Sequence, residues 1–573
     1  MHIKSEFDVP PLPPMNVHDL LFRRPDRVGI PDYPLHIDGK TGYTRTYYQF
    51  LERVYDGATA LSALPPDGGL GLQPGKDMVG IYSHNCLDYV TMVHALLTQT
   101  IPFALLPSFS TPRELVHLLQ LSRATCLFVD PQLLPNARQA AREVGIPDER
   151  IYVLEGRGKG RRGFGDMIED VKRRGTGRVN VKPAKKDTLA HLIFSSGTSG
   201  LPKAVAISHG NICYSVMQTV VWSQAKGRLS QQASQPQVPE AIQIQLAFLP
   251  FYHSHGLHSF IFRCFLSSSR IIVLPKWDAE VTLKLIPKYR VTHLPVVPSQ
   301  VHQLVHSPNF EKADLSSVTY VMSSAAYLPP QLAAKLTKCT PGMKGVMEAY
   351  GMSEATIGIM LRPPPELAGP QPPDGPAGME LLPGLEARIL REDGTETAVN
   401  EPGELFVKGE TVALGYWGNE QATKEAFLEG GWLKTGDRFR VNERKQFFFD
   451  ERVKDTLKIA GMQVSPTEIE DVLLAHPEKL VVDVCVAGVS GGRTSDERNP
   501  RAWVVLSDSG HKQGAQTVVR KLDAWARENL SKYKWLRGGI EVVELIPKNP
   551  TGKTLRRVLV EEYEKRATVP AKL

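Results

Sequence analysis

The stretch that most limits what this chain can fold into is SSGTSGLPKAVAISHGN, residues 195–211. It opens on Ser195, Ser196, Gly197, Thr198, Ser199 and Gly200, and Lys203 follows. Upstream, LAHLIFS has the apolar run of a buried strand; downstream, KAVAIS reads as a second short strand before Ser208 caps a helix. Such a loop can turn backbone N–H groups, hydroxyls and one ammonium toward a polyphosphate, because glycine permits close approach and the positive φ angles of an anion nest. On these residues alone a solvated Ser/Gly loop is an equal reading. A Walker A loop is not, since it needs G-x-x-x-x-G-K-[ST] opening directly into a helix. Here Lys203 follows Pro202, and a strand follows the lysine.

At 573 residues the chain is too long for one compact core, so at least two domains are expected. Hydrophobic content of 42% and charged content of 23% are those of an ordinary globular protein. A net charge of +7, without aromatic-basic interleaving, argues against nucleic acid as a partner. The six cysteines (Cys86, Cys126, Cys213, Cys264, Cys339, Cys485) lack metal-ligand spacing and read as buried thiols of a reducing compartment. No apolar run approaches the ~20 residues that span a bilayer. The N-terminus, MHIKSEFDVPPLPP, lacks the apolar centre of a signal peptide.

Residues 1–130 alternate helices (YYQFLERVYDGATALSAL, CLDYVTMVHALLTQT) with strands (MVGIYS, FALLP, CLFVD), the pattern of an α/β domain. Thr111-Pro112-Arg113-Glu114 is a capping-box helix start. Residues 225–240 are poor in apolar side chains and read as a flexible insertion, and 362–378 as a proline-rich surface loop. Short strands with Gly-Glu, Gly-Tyr and Thr-Gly-Asp turns over 403–439 make a small β subdomain. After it, a helix over 466–476 buries Ile469, Val472 and Leu473, and three strands surround AQTVVRKLDAWARENL. The fold class expected is α/β: a large N-terminal domain (1–451) of mostly parallel sheets plus a β subdomain, and a small mobile α+β C-terminal lid (452–573).

The serine-rich loop resembles the phosphate-binding signature of the adenylate-forming superfamily: acyl-CoA synthetases, 4-coumarate–CoA ligases, firefly luciferases and peptide-synthetase adenylation domains. EAYGMSEAT (348–356) is similar to that family's Q-G-Y-G-M-T-E segment. Its chemistry is legible: Tyr350 can stack on adenine, Ser353 can donate to a phosphate, and Glu354 can hold Mg²⁺. PKNPTGKTLRR (547–557) resembles P-x-x-x-G-K-x-x-R-R and makes Lys553 the mobile catalytic lysine. Resemblance also implies that Asp437 of Thr-Gly-Asp chelates the ribose hydroxyls and that Arg452 contacts the ribose. Lys454 falls at the hinge, Lys458 joins the catalytic set, and Gly461 lies on the turn that enters the site for thioester formation. AFLPFYHSHGLHSF resembles the stretch walling the carboxylate pocket, which places His253, His255 and Ser259 there; His253, His255 and His258 lack a register for metal. VTYVMSSAAYLPPQL resembles the S-G-A-A-P-L segment and contributes Ser324 and Ala325, with Ser324 and Tyr327 replacing the usual glycine and proline. Ala204 and Glu451 are smaller departures, for Gly and Asp.

The resemblance implies an ATP-dependent acid–CoA ligase closest in wording to the 4-coumarate–CoA ligases, with Mg²⁺ and coenzyme A as co-reactants. Two alternatives belong to other classes: an adenylating enzyme without a thioester product, and a non-catalytic nucleotide-binding protein. Ala349, Gly351 and Ile357 stand at the positions of the pocket floor. The methyl of Ala349 narrows the pocket, which favours a medium aliphatic or small aryl acid. The C-terminal Ala571-Lys572-Leu573 is a near-copy of the S-K-L address and implies a peroxisomal import receptor as partner.

Overall fold

Strands with unbroken apolar runs need cover on both faces, and two parallel-centred sheets receive it from shared helices. The computed structural model describes residues 1–573 except 28, 157, 159, 196–201, 234–241, 326, 327, 344, 369–377, 453–456, 460, 461, 465, 491–497, 531–533, 550–553 and 569–573. Of 26, 230–233, 451, 452, 458, 459, 462, 463, 567 and 568 it describes only the backbone.

In the first sheet Val79–Tyr82, Phe103–Leu106 and Cys126–Val129 are buried along their whole length and run parallel with Ile151–Val153 and Leu189–Ser195. Lys203–Ser208 then returns antiparallel to Leu189–Ser195, with Ser195 opposite Lys203. The strands on either side of the Ser/Gly stretch therefore pair as a hairpin. In the second sheet Pro34–Asp38, Ser269–Val273, Gln243–Ala247, His293–Val296, Tyr320–Ser324 and Met347–Gly351 are parallel, and only its edges are antiparallel. The helix Leu87–Thr98 is buried on all sides, and one hydrophobic core joins both sheets around it. The helix Pro112–Ser122 starts as expected: Thr111 Oγ1 accepts from the Glu114 N–H, and Glu114 accepts in return from the Thr111 N–H.

A third, antiparallel sheet forms the β subdomain, with Glu386–Leu390, Gly403–Lys408, Trp432–Val441 and Phe447–Arg452 at its centre. Its outer strand, His2–Lys4, comes from the extreme N-terminus. At the other end of the chain, Val481–Ser490, Arg498–Leu506 and Ile540–Val542 form a sheet with its own core. The helices Pro466–Leu474 and Ala515–Asn529 pack on it, with Ile469 and Leu473 fully buried and Val472 partly so. This is the expected α/β architecture with a smaller α+β C-terminal part.

Two expectations need correction. Residues 225–233 are not an irregular insertion: they continue the helix His209–Ala233, held where Lys226 pairs with Glu380 at 2.5 Å. Residues 234–240 lie outside the described set. Thr435-Gly436-Asp437 does not end a strand either, but bulges within the ten-residue strand Trp432–Val441. Gly436 has φ +73, which a side chain would resist. Within the described part of the 362–378 loop, Pro365–Ala368 forms a helical turn. Among the described residues no helix is long and apolar enough to cross a membrane.

Candidate functional site

The carboxyl ends of the parallel strands open onto one cavity of about 1660 Å³, in the position that open α/β sheets favour for ligands. Ser195, Lys203, His253, His255, Ser259, Ser324, Ala325, Ala349, Tyr350, Gly351, Ser353, Glu354, Ile357 and Asp437 all line it. Residues far apart in sequence are thus gathered at one place. Ser196, Gly197, Thr198, Ser199, Gly200, Tyr327, Lys454, Gly461, Lys553 and 571–573 lie outside the described residues. For Arg452 the backbone is placed opposite Asp437 in the ladder, and for Lys458 opposite Gln463. Lys548, Asn549 and Leu555, on either side of 550–553, also line the cavity.

At one end stands a polar cluster. The Lys203 ammonium lies 4.8 Å from the centre of the Tyr416 ring, a cation–π distance. The Tyr416 hydroxyl donates to Glu354 Oε1 at 2.9 Å. Burial, with the Glu354 carboxylate beside it, pushes the Tyr416 phenol above its usual range. Glu354 itself is buried, and its backbone carbonyl accepts from the Ala413 N–H. Nearby, the Ser353 and Ser254 hydroxyls share a hydrogen bond of 2.9 Å. Tyr350 donates to Asp437 Oδ2 at 2.7 Å while its ring meets Phe439 edge-on. The bulge lets Asp437 do this: Thr435 donates its hydroxyl to Leu405 O, and the Asp437 N–H donates back to Thr435 Oγ1.

The turn after Tyr350 can only be built on glycine. A Cβ on Gly351 would fall 1.6 Å from the Ile357 carbonyl oxygen. Also on the cavity wall, His255 Nδ1 shares a 2.8 Å hydrogen bond with the Ser324 hydroxyl, and its buried Nε2 has no partner among the described residues. Burial pushes His253 down to about 4 and His255 to about 3, so both are neutral donors or acceptors there. Ala325, after Ser324, has φ 75, an unusual angle for a residue with a side chain.

Tyr416 and Ser254 carry no local mark of their roles. Tyr416 sits in an ordinary Leu-Gly-Tyr-Trp turn, and only the pairing of Gly415–Tyr416 with Lys203–Ser208 brings it under Lys203. Arg263 had a signal, as the one cation in the apolar run HSFIFRCF.

Residues 23–417 match the AMP-binding enzyme family, and residues 468–553 match the AMP-binding enzyme C-terminal domain. An acyl-CoA ligase of Emericella nidulans is 31% identical over 93% of this chain and 93% of its own length. An acyl-CoA ligase of Alternaria alternata is 30% identical over 92% and 90%, and a probable 4-coumarate–CoA ligase of Dictyostelium discoideum 30% over 92% of each. In fold, the chain is similar to an anthranilate CoA ligase in complex with anthranoyl-AMP, with a TM-score of 0.81 at 23% identity over 97% of this chain and 99% of that one. ATP-bound MatB from Rhodopseudomonas palustris gives 0.77 at 25%, over 96% and 100%. The chain belongs to the AMP-binding enzymes, the adenylate-forming class. Its curated relatives are acyl-CoA and 4-coumarate–CoA ligases.

Proposed function

We propose that this enzyme joins a medium aliphatic or small aryl carboxylic acid to coenzyme A, using ATP, through an acyl-adenylate. The observation that carries the reading is that one cavity is lined by Lys203, Glu354 and Asp437 together with His255, Ser324 and Ala349. First, a carboxylate oxygen of the acid attacks the α-phosphorus, the bond to the β-phosphate oxygen breaks, and pyrophosphate leaves. Next, the thiol of coenzyme A loses its proton and attacks the acyl carbon, and AMP leaves with the bonding pair.

The protein's work is positioning and charge stabilisation. Lys203, with Ser195 and the 196–200 loop, holds the leaving pyrophosphate. Tyr350 stacks on adenine, and Asp437 and Arg452 take the ribose hydroxyls. Ser353 donates to a phosphate. Lys553 bridges the carboxylate and α-phosphate, with Lys458 close by in the catalytic set. One buried carboxylate beside a polyphosphate suits Mg²⁺, which takes one or two carboxylates and completes its shell with water and phosphate oxygens. Glu354 would hold it, and the ion would neutralise phosphate charge. The chain divides into 1–451 and 452–573, and the smaller part turns about Lys454 to bring the Gly461 turn inward for thioester formation. Ala571-Lys572-Leu573 directs the enzyme to the peroxisomal matrix through its import receptor.

Lys553→Ala tests the assignment. Adenylate formation falls about 10²–10³-fold, the effect of losing one donor to a developing oxyanion, while thioester formation from supplied acyl-adenylate persists. Equal loss of both steps would overturn it. For location, an N-terminally tagged chain lacking 571–573 becomes cytosolic; a diffuse intact chain would remove the peroxisomal reading.

A further inference from the structure

Arg263 is a cavity-lining cation that the reaction as described leaves unused. It follows the π-turn His258–Phe262, which widens the helical path so that His255, Ser259 and Arg263, spaced four apart, all line the cavity. Arg263 follows His255 by eight positions and faces Tyr320, the first residue of the strand Tyr320–Ser324, whereas His255 bonds to Ser324, its last. One NH2 of its guanidinium donates to the Ser215 hydroxyl at 3.2 Å. Its buried Nε has no hydrogen-bond partner among the described residues.

Lys226 pairs with Glu380, and Glu348 meets Arg362 at 3.5 Å. Arg263 has no ion pair among the described residues. The titratable groups facing it are Tyr320, His255 and His258, and all three are uncharged near neutral pH. Burial lowers the guanidinium to about 10, so it still carries its charge. A desolvated cation without a counter-charge is costly, and its planar fork matches a carboxylate with two parallel hydrogen bonds. Thr219, Gln243 and Gln245, also on the cavity wall, add neutral polar groups to it.

We propose that Arg263 receives a second carboxylate, at the end of the acid remote from the one activated, so that the substrate is a dicarboxylic acid of medium length. This rests on the reading of the cavity as an acid-activating site. It narrows the substrate class rather than changing the chemistry: the remote carboxylate is bound, and no bond to it forms or breaks.

The test is pyrophosphate release with ATP, comparing kcat/KM for straight-chain diacids with their monomethyl esters. The wild type favours the diacid of best length over its ester by about 10- to 150-fold, the range of a hydrogen bond to a charged group. Arg263→Met removes that preference while leaving the ester's kcat/KM near its wild-type value, and Arg263→Lys keeps part of the preference. Equal use of diacid and ester by the wild type overturns the proposal, as does a preference that survives Arg263→Met. Should Arg263→Met not fold, the wild-type ratio alone decides. A wild type inactive on every acid, simple monoacids included, overturns the acid-activating reading and this proposal with it, whereas activity on esters and monoacids alone overturns only the proposal.

Discussion

The Tyr416 hydroxyl donates to Glu354 Oε1 at 2.9 Å while the Tyr416 ring carries the Lys203 ammonium at 4.8 Å. One side chain therefore ties the lysine at the end of the Ser/Gly loop to the carboxylate assigned to Mg²⁺. A hydrogen bond to a charged group contributes about 1.5–3 kcal/mol. Tyr416→Phe is expected to slow acid-dependent ATP–pyrophosphate exchange about 10- to 100-fold, leaving the KM for the acid nearly unchanged. Tyr416→Leu, which also loses the ring, is expected to be slower still. Unchanged exchange in Tyr416→Phe would show that the contact does not position Glu354.

Tyr350 orients Asp437 through a bond of 2.7 Å, the short range of an O–H to a carboxylate. Tyr350→Phe keeps the ring proposed to stack on adenine and removes this bond to the carboxylate. The KM for ATP should rise several-fold with kcat little changed, and Asp437→Ala should raise it further. A fall in kcat alone would place Tyr350 in the chemical step instead.

Gly351 and Ala349 flank Tyr350 and should respond in opposite ways. Gly351→Ala places a Cβ 1.6 Å from a carbonyl oxygen, so the turn must move. Overpacking of this kind costs about 1–3 kcal/mol or more, visible as a lower melting temperature and lost activity. Ala349→Gly costs about 0.5–1 kcal/mol of strand stability. It shifts kcat/KM toward bulkier rings, each methylene counting about 10–200-fold. No change in acid preference would show that Ala349 does not set the pocket's width.

The buried histidines set a pH dependence. His94 and His253 are held near 4, and His18, His191 and His255 near 3, all chiefly by burial. In the unfolded chain these groups take up protons at about pH 6.5, before the folded chain does. Their contribution is therefore full above pH 6.5 and is lost as the pH falls toward 3. Glu155, Glu348 and Asp471, pushed up to about 7 chiefly by burial, act in the opposite direction but are fewer. Thermal unfolding is expected several degrees lower at pH 5 than at pH 7.5. A melting temperature that rises on acidification would contradict this balance.

The elements read most surely from sequence were those whose local and global demands agree. Thr111 and Glu114 cap their helix as their spacing requires, and LAHLIFS and KAVAIS are the strands that their apolar runs indicate. Residues 225–233 were misread because composition reports solvent preference, not the contacts that carry a helix forward; the Lys226–Glu380 pair lies 154 positions apart. Thr435-Gly436-Asp437 spells a turn, and only its cross-strand neighbour Leu405 makes it a bulge. In the site, residues inside recognisable motifs were legible. Tyr416 and Ser254 were not, because their roles come from what the sheets bring beside them.

The central claim is acid activation followed by transfer to coenzyme A. The most direct measurement is pyrophosphate, AMP and acyl-CoA formation with ATP and a carboxylate panel, with and without coenzyme A. Acid-dependent pyrophosphate release with bound acyl-adenylate is expected when coenzyme A is absent, and equal AMP and acyl-CoA when it is present. Pyrophosphate release that ignores the acid, or acyl-adenylate that coenzyme A leaves untouched, would contradict it.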